Sequence, residues 1–273
     1  MRLILFILFS TSILADTCPF PHHEKSNKHK SKNIRSIIHP DDPTTSQVTE
    51  SDFYLIINQT FALYSDQLSN DGRKIAIGIQ EWETPYLSAW AYDTGNELTV
   101  NYWGGYARVN GTTIRSFALT ACHELGHLIG GKPTHTESAF NPMMSAEGQA
   151  DYFAASECFK KYITKFPLRL DIELDPKLAG ICEESFSDQQ QKELCFETAQ
   201  AGFDQSRIFA HLLSSEIPDP LQPSSLIVEE TLKDGYPTIQ CRFDTYMAGA
   251  KSYFPQDAGQ QVSRPKCWYR KSK

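Results

Sequence analysis

The stretch that decides the fold is residues 113–131, which read TIRSFALTACHELGHLIGG. Apolar side chains recur in it at three- and four-residue steps, the spacing of one face of an amphipathic helix. Gly130 and Gly131, followed by Pro133, are typical of a helix end. We therefore expect a helix from about Thr113 to Ile129 that packs an apolar face against a core. That face comprises Ile114, Phe117, Ala118, Ala121, Cys122, Leu125, Leu128 and Ile129.

Two histidines lie on a different face of this predicted helix. His123 and His127 are one helical turn apart, so both imidazoles can reach one ion. Glu124 lies about a hundred degrees around the helix from His123. It would be near the ion but not aimed at it, which favours a base over a ligand. Residues 123–127 match the H-E-x-x-H pattern, in which two histidines bind zinc and the glutamate is a general base.

A carboxylate pair follows the histidines at a distinctive distance. Glu147 lies twenty residues after His127, at the predicted start of the next helix, and Asp151 follows one turn later. H-E-x-x-H with E-x-x-x-D at this distance resembles the gluzincins, the thermolysin-like group of metallopeptidases. The resemblance implies that Glu147 is the third zinc ligand. It also implies that Asp151 orients a histidine ligand, which we expect to be His123.

His135 is the alternative third ligand. In the metzincins the motif extends to H-E-x-x-H-x-x-G-x-x-H, and Gly130 does occupy the glycine position. The last histidine would fall on Pro133, however, and His135 comes two residues late. We therefore prefer Glu147 as the ligand. His135 could still donate a hydrogen bond to a developing oxyanion, or it could be a loop histidine without a role.

The pattern around the motif indicates an α+β fold. A helix is predicted from Thr49, with Asp52 as a capping partner, before three strand-like runs. The second half is predicted to be mostly helical, with an irregular tail. The resemblance implies a zincin-like lobe followed by a helical, disulfide-braced lobe. The predicted strands are residues 74–80, 86–92 and 97–103, with a hairpin loop at 94–96, and the later helices are residues 145–162, 188–201 and 205–214.

The third strand has a functional interpretation. In a zincin-type lobe a strand edge lies over the active-site helix, and Glu97–Trp103 is our candidate for that edge. An exposed edge can bind an extended peptide by adding it as a further strand. The expected partner is therefore a peptide or protein substrate.

The N-terminal residues indicate export. Residues 1–15 combine a positive start, an apolar run and a small residue for cleavage, which is typical of a signal peptide. Residues 16–46 are polar and rich in lysine and histidine, and they predict a flexible basic linker. The rest, residues 47–273, is expected to be one metallohydrolase domain with a sheet and active-site helix (47–131) and a helical part (132–273). We expect a periplasmic or secreted protein without a stable membrane span after signal removal.

The net charge and the cysteine content indicate which partners and which covalent links to expect. The net charge of −7 argues against nucleic acid as a partner. Seven cysteines in an exported chain indicate disulfides. Cys122 lies on the apolar helix face, so we expect it to be a buried free thiol. The other six cysteines allow fifteen pairings, and the sequence does not select one.

The pattern as a whole predicts an exported zinc metallopeptidase with Glu124 as general base. The competing hypothesis is an exported, disulfide-braced binding module in which the zinc is structural or vestigial. A structural site has four protein ligands and no open position, whereas a catalytic one keeps a position for water. A hydrolase that cuts another kind of bond also fits, since the ligands specify water activation rather than substrate.

Overall fold

A computed structural model describes residues 37–136, 143–168, 175–255 and 263–271. The predicted signal peptide and most of the predicted linker lie outside these ranges. The described residues form a mixed α/β structure with a small sheet. Its elements are α1 (Glu50–Ala62), β1 (Ile75–Glu81), β2 (Ala89–Asp93), β3 (Leu98–Trp103), α2 (Gly104–Ala107), α3 (Ile114–Ile129), α4 (Glu147–Phe153), a π-helical turn (Ala154–Cys158), α5 (Phe159–Lys165), α6 (Pro176–Ser185), α7 (Gln189–Leu212) and α8 (Ile239–Ala250).

Two helices begin where their capping residues predict. The Thr49 side chain accepts a hydrogen bond from the Asp52 backbone amide, and the Asp52 side chain accepts one from Thr49 in return. Thr113 and Ser116 form the same reciprocal arrangement at the start of α3. Each of these two capping boxes satisfies backbone N–H donors that the first helical turn leaves without partners. The predicted starts of α1 and α3 are therefore confirmed.

The sheet has the strand order β1-β3-β2. β3 pairs in parallel with β1 and antiparallel with β2. The predicted hairpin between β2 and β3 is confirmed, since the Thr94 amide donates to the Glu97 carbonyl over 3.0 Å. The prediction that Glu97–Trp103 forms an edge is wrong, because β3 has a partner on each side. β2 is instead the antiparallel strand at the edge, and it packs against α3.

The helical half differs from the prediction in three places. Gln189–Leu212 form one continuous helix, α7, rather than two. The predicted helix over 145–162 begins only at Glu147 and is interrupted by the π-helical turn. The region expected to be irregular contains α8. Gly202 in α7 permits close packing on α8, since a Cβ there would lie 2.5 Å from the Tyr246 Cβ.

Three disulfides brace the described residues, and one corrects a prediction. Cys122 is not a free thiol but is bonded to Cys158 on the π-helical turn. The face of α3 that carries Cys122 is buried as expected, but at Cys122 this face packs on the π-helical turn that carries Cys158. The other two bonds join Cys182 to Cys195 and Cys241 to Cys267. Such bonds are typical of proteins in oxidising compartments.

The core surrounds α3. The buried residues of α3 run without interruption from Arg115 to Ile129. The sheet, α1, α4, the π-helical turn and α7 all pack against it. Because α3 is covered on every side, its polar residues face other protein groups and need partners there. Among the described residues, no helix is both long and apolar enough to cross a membrane.

Candidate metal centre

Three of the predicted site residues converge at the C-terminal end of α3. The Nε2 atoms of His123 and His127 are 3.2 Å apart. Glu147 Oε2 lies 3.4 Å from His123 Nε2, and Glu147 Oε1 lies 3.6 Å from His127 Nε2. All three side chains are buried. Because one donor atom from each lies within 4.8 Å of the others, this group could hold a metal ion.

The donor chemistry fits a divalent transition metal. Two imidazole nitrogens and one carboxylate oxygen are ligands that zinc accepts, and three protein ligands leave a position open in a tetrahedral site. Other first-row metals accept the same donors, so the donor set alone does not fix which metal binds. Glu147 is held as the anion that a cation requires: burial opposes its ionisation, but His127 and His123 keep its pKa well below the usual range.

Close packing of α3 on α4 brings the donors together. His123 and His127 project from one face of α3, and Glu147 is the first residue of α4. Gly126 lies between the histidines in sequence, and a Cβ there would lie 2.9 Å from the Ala150 carbonyl oxygen of α4. A larger residue at this position would push the helices apart. The glycine therefore permits the short distance between the imidazoles and the carboxylate.

His123 is held from behind by a buried charged network. Its Nδ1 lies 2.8 Å from Asp151 Oδ1, the contact that the resemblance implied. Arg242 of α8 donates from Nε and Nη2 to the two Asp151 oxygens over 2.8 and 2.7 Å. The Tyr246 hydroxyl also donates to Asp151, over 2.7 Å. Burial opposes ionisation of Asp151, but Arg242 and His123 hold its pKa below the usual value. An ionised Asp151 fixes a proton on His123 Nδ1 and leaves Nε2 free to bind a metal.

His127 is oriented by the backbone. Its Nδ1 lies 2.8 Å from the carbonyl oxygen of Ser145, just before α4. The Ser145 amide donates back to the His127 carbonyl over 2.8 Å. Burial lowers the pKa of His127 to about 4, so its imidazole is neutral at physiological pH. A neutral ring with one nitrogen occupied by a carbonyl presents the other as a metal ligand.

Glu124 is fully buried beside the donor group. Within the described residues, neither of its carboxylate oxygens has a hydrogen-bond partner. Burial raises the pKa of Glu124 to about 8. Tyr102 of β3 lies near it, and burial together with the Glu124 charge raises the pKa of that phenol well above its usual value. A buried carboxyl group whose pKa is shifted toward neutrality is suited to proton transfer.

His135 lies beside the donor group rather than in it. Its ring stacks on the His127 ring, with centroids 6.1 Å apart and an interplanar angle of 23°. Its Nδ1 is 3.4 Å from Asp234 Oδ1, and Asp234 also accepts a hydrogen bond from the Thr136 amide. The geometry thus favours Glu147 over His135 as the third donor. Asp234 fixes the loop that carries the His135 ring.

Several contacts of the site had no signal in the sequence. Arg242, Tyr246 and Asp234 come from distant parts of the chain and belong to no motif. His211, another histidine of the helical half, lines a cavity of about 890 Å³ beside Thr113, at the opposite end of α3 from the donor group. Comparisons with protein-family models, with curated proteins and with solved structures found no match for this chain.

Proposed function

We propose that the chain is an exported, zinc-dependent metallopeptidase of the gluzincin type. In this proposal His123, His127 and Glu147 bind the zinc, Glu124 is the general base, and Asp151 orients His123. The observation that carries the proposal is the environment of Glu124. Its carboxylate is buried, lacks hydrogen-bond partners among the described residues and lies next to the donor group. A site that only stabilises the fold has no need of such a group.

The proposed chemistry assigns a separate task to each group of the chain. A zinc ion held by the three donors would supply Lewis-acid activation of water and of a substrate carbonyl. Glu124 takes the proton of the attacking water and later passes it to the leaving amine. Asp151 and the Ser145 carbonyl keep the two imidazoles in the orientation that metal binding requires. His135, whose ring stacks on that of His127, is the candidate donor to the carbonyl oxygen.

The sheet supports a peptide as the substrate. β2 is an antiparallel edge strand in the described sheet, and it packs on the helix that carries both histidines. An extended peptide could pair with such an edge through backbone hydrogen bonds. In this proposal the peptide pairs with β2, rather than with β3 as the sequence suggested.

A structural or vestigial metal site in a binding module is the second candidate. One observation favours it: the three donor residues are each no more than 6% exposed, and structural metal sites are closed. The two functions differ in the fourth coordination position. A binding module would fill that position with protein, whereas a peptidase would leave it to water.

Digestion of a peptide library with metal content measured on the same sample tests the proposal. We expect the wild type to contain one zinc per chain and to cleave peptides. Glu124→Gln should keep the zinc and lose at least about 100-fold in turnover, because it removes the base and not a ligand. Glu97→Gln, at an exposed glutamate, is the matched control and should behave as the wild type. A fully metallated wild type without cleavage, or equal turnover in Glu124→Gln, would reject the proposal.

A further inference from the structure

The C-terminal segment, residues 263–271, covers a face of α4. Trp268 in this segment is fully buried. Its indole lies directly on Gly148, since a Cβ at that glycine would be 2.3 Å from Trp268 Cδ2 and 2.6 Å from Cε2. Gly148 is the residue after Glu147. The indole therefore presses on the first turn of the helix that presents the carboxylate donor.

The same segment contacts α4 again one turn later. The Arg264 guanidinium lies 4.9 Å from the ring centroid of Tyr152, four residues after Gly148. Arg264 is also 4.9 Å from the Tyr269 ring of its own segment. Gly148 and Tyr152 adjoin the face of α4 that carries Glu147 and Asp151. The helix is thus held between the metal centre and the C-terminal segment.

Two attachments fix the segment relative to the rest of the centre. The disulfide between Cys241 and Cys267 joins it to α8, next to Arg242. Arg242 in turn bonds Asp151 and has Nη2 3.9 Å from Glu147 Oε2. On its other side the Trp268 carbonyl accepts from the Leu232 amide over 2.8 Å, two residues before Asp234.

The first turn of α4 needs such external support. α4 continues through the π-helical turn into α5, but at its start the N-cap, Ala146, makes no side-chain capping hydrogen bond. The first N–H groups of a helix have no partner within the helix, so an uncapped first turn frays unless tertiary contacts hold it. The Glu147 carboxylate lies in the first turn, where fraying would displace it most. Whatever holds that turn also sets the distance from the carboxylate to the imidazoles.

We propose that Trp268 is a positioning residue of the metal centre. Its indole, anchored by the Cys241–Cys267 disulfide, holds the first turn of α4 so that Glu147 reaches His123 and His127. Gly148 is required because any larger residue would displace the indole or the helix. The inference rests on the metal-binding part of the proposed function and is independent of hydrolysis.

Zinc affinity of the full-length protein separates this role from simple core packing. Competition with a chromophoric chelator gives the zinc Kd, and the visible spectrum of the cobalt-substituted protein reports the geometry of the donors. Trp268→Ala and Gly148→Ala should weaken zinc binding by about 10- to 100-fold and alter the cobalt spectrum. Trp268→Phe, which keeps a flat ring, should recover most of the affinity. A purely structural tryptophan would lower Tm and leave both readouts of the folded protein unchanged.

Matched controls come from elsewhere in the helical half. Gly180→Ala changes a helical glycine of α6 whose new Cβ would meet no atom within 4 Å, and it should leave the Kd unchanged. Replacing Cys241 and Cys267 by serine should weaken zinc binding, whereas the same change at Cys182 and Cys195 should not. Thermal unfolding identifies the variants that are folded. If Trp268→Ala does not fold, Trp268→Phe and Gly148→Ala decide the question.

The outcomes separate the two proposals. A wild type that binds no zinc overturns the proposed function and this inference with it. A wild type that binds zinc, with folded Trp268→Ala and Gly148→Ala variants within about twofold of its Kd, overturns only the inference, because a lost positioning contact costs about tenfold or more.

Discussion

At the residue scale, the charge balance of the centre depends on Arg242. It is a buried cation that donates to both oxygens of Asp151, and Asp151 contacts His123. Removing one partner of a buried ion pair leaves the other charge without compensation. We therefore expect Arg242→Met to lower the free energy of unfolding by about 3–5 kcal/mol and to weaken zinc binding.

Urea unfolding and chelator competition measure the two effects of Arg242→Met. Arg207→Met, at an exposed arginine, is the control and should change neither quantity. A loss in Arg242→Met no larger than that of the control would mean that the Asp151 carboxylate does not depend on this cation.

The donor residues were predictable from the sequence because their spacing is local. His123, Glu124 and His127 lie within two turns of one helix, and Glu147 with Asp151 forms a second short pattern. Arg242 was not predictable, because it lies 91 residues from Asp151 and its role arises only when α8 packs on α4. The partner of the His127 ring was not predictable either, because it is the backbone carbonyl of Ser145, a group that every residue type carries.

At the scale of elements, the distance between α3 and α4 depends on Gly126. A Cβ at this position would lie 2.9 Å from the Ala150 carbonyl oxygen and 3.0 Å from the Ala150 Cα. Backbone atoms cannot yield as a flexible side chain can. We expect Gly126→Ala to lower the free energy of unfolding by about 1–3 kcal/mol through overpacking, although alanine favours helix.

The thermal midpoint and the zinc Kd of Gly126→Ala test this account of the helix packing. Gly180→Ala again serves as the control, since it gains helix propensity without a clash and should be neutral or slightly stabilising. If Gly126→Ala matched that control in both measurements, the close approach of α3 and α4 would not be what brings the histidines and Glu147 together.

The elements divide into those with local signals and those without. Thr49 and Thr113 mark helix starts through contacts only three residues away, so α1 and α3 were predicted closely. The order of the strands depends on long-range pairing, and β3 was therefore mistaken for an edge. α7 was predicted as two helices, and its continuity through Gly202 depends on packing against Tyr246, which lies in another helix. Cys122 was misjudged because its partner is carried by a π-helical turn.

At the scale of the whole molecule, Lys160 links two helices through a buried amine. Its Nζ donates to the Ala250 carbonyl over 2.8 Å and also to the Ser252 carbonyl, at the end of α8. Burial lowers the pKa of Lys160 from 10.5 to about 7. Between about pH 7 and pH 10.5, Lys160 carries a proton in the unfolded chain and loses it in the folded chain. Stability contributed by this group is therefore lowest below pH 7 and rises toward pH 10.

Unfolding free energies at pH 7 and pH 9.5 test this expectation in the wild type and in Lys160→Met. The wild type should gain roughly 1–4 kcal/mol relative to the variant over this interval, because each unit of pKa shift corresponds to about 1.4 kcal/mol. Lys165→Met, at an exposed lysine of the same helix, should show no such change. A difference between wild type and Lys160→Met that does not vary with pH would contradict the lowered pKa.

The central claim is that His123, His127 and Glu147 hold one cation and leave a coordination position to solvent. X-ray absorption at the zinc edge of the loaded protein measures this most directly. For the wild type we expect two imidazole nitrogens at about 2.0–2.1 Å and oxygens at about 2.0–2.2 Å, with one oxygen exchangeable for a small anion. Glu147→Ala should lose an oxygen and bind zinc more weakly. A shell completed by a fourth protein ligand, or a spectrum unchanged in Glu147→Ala, would contradict the account.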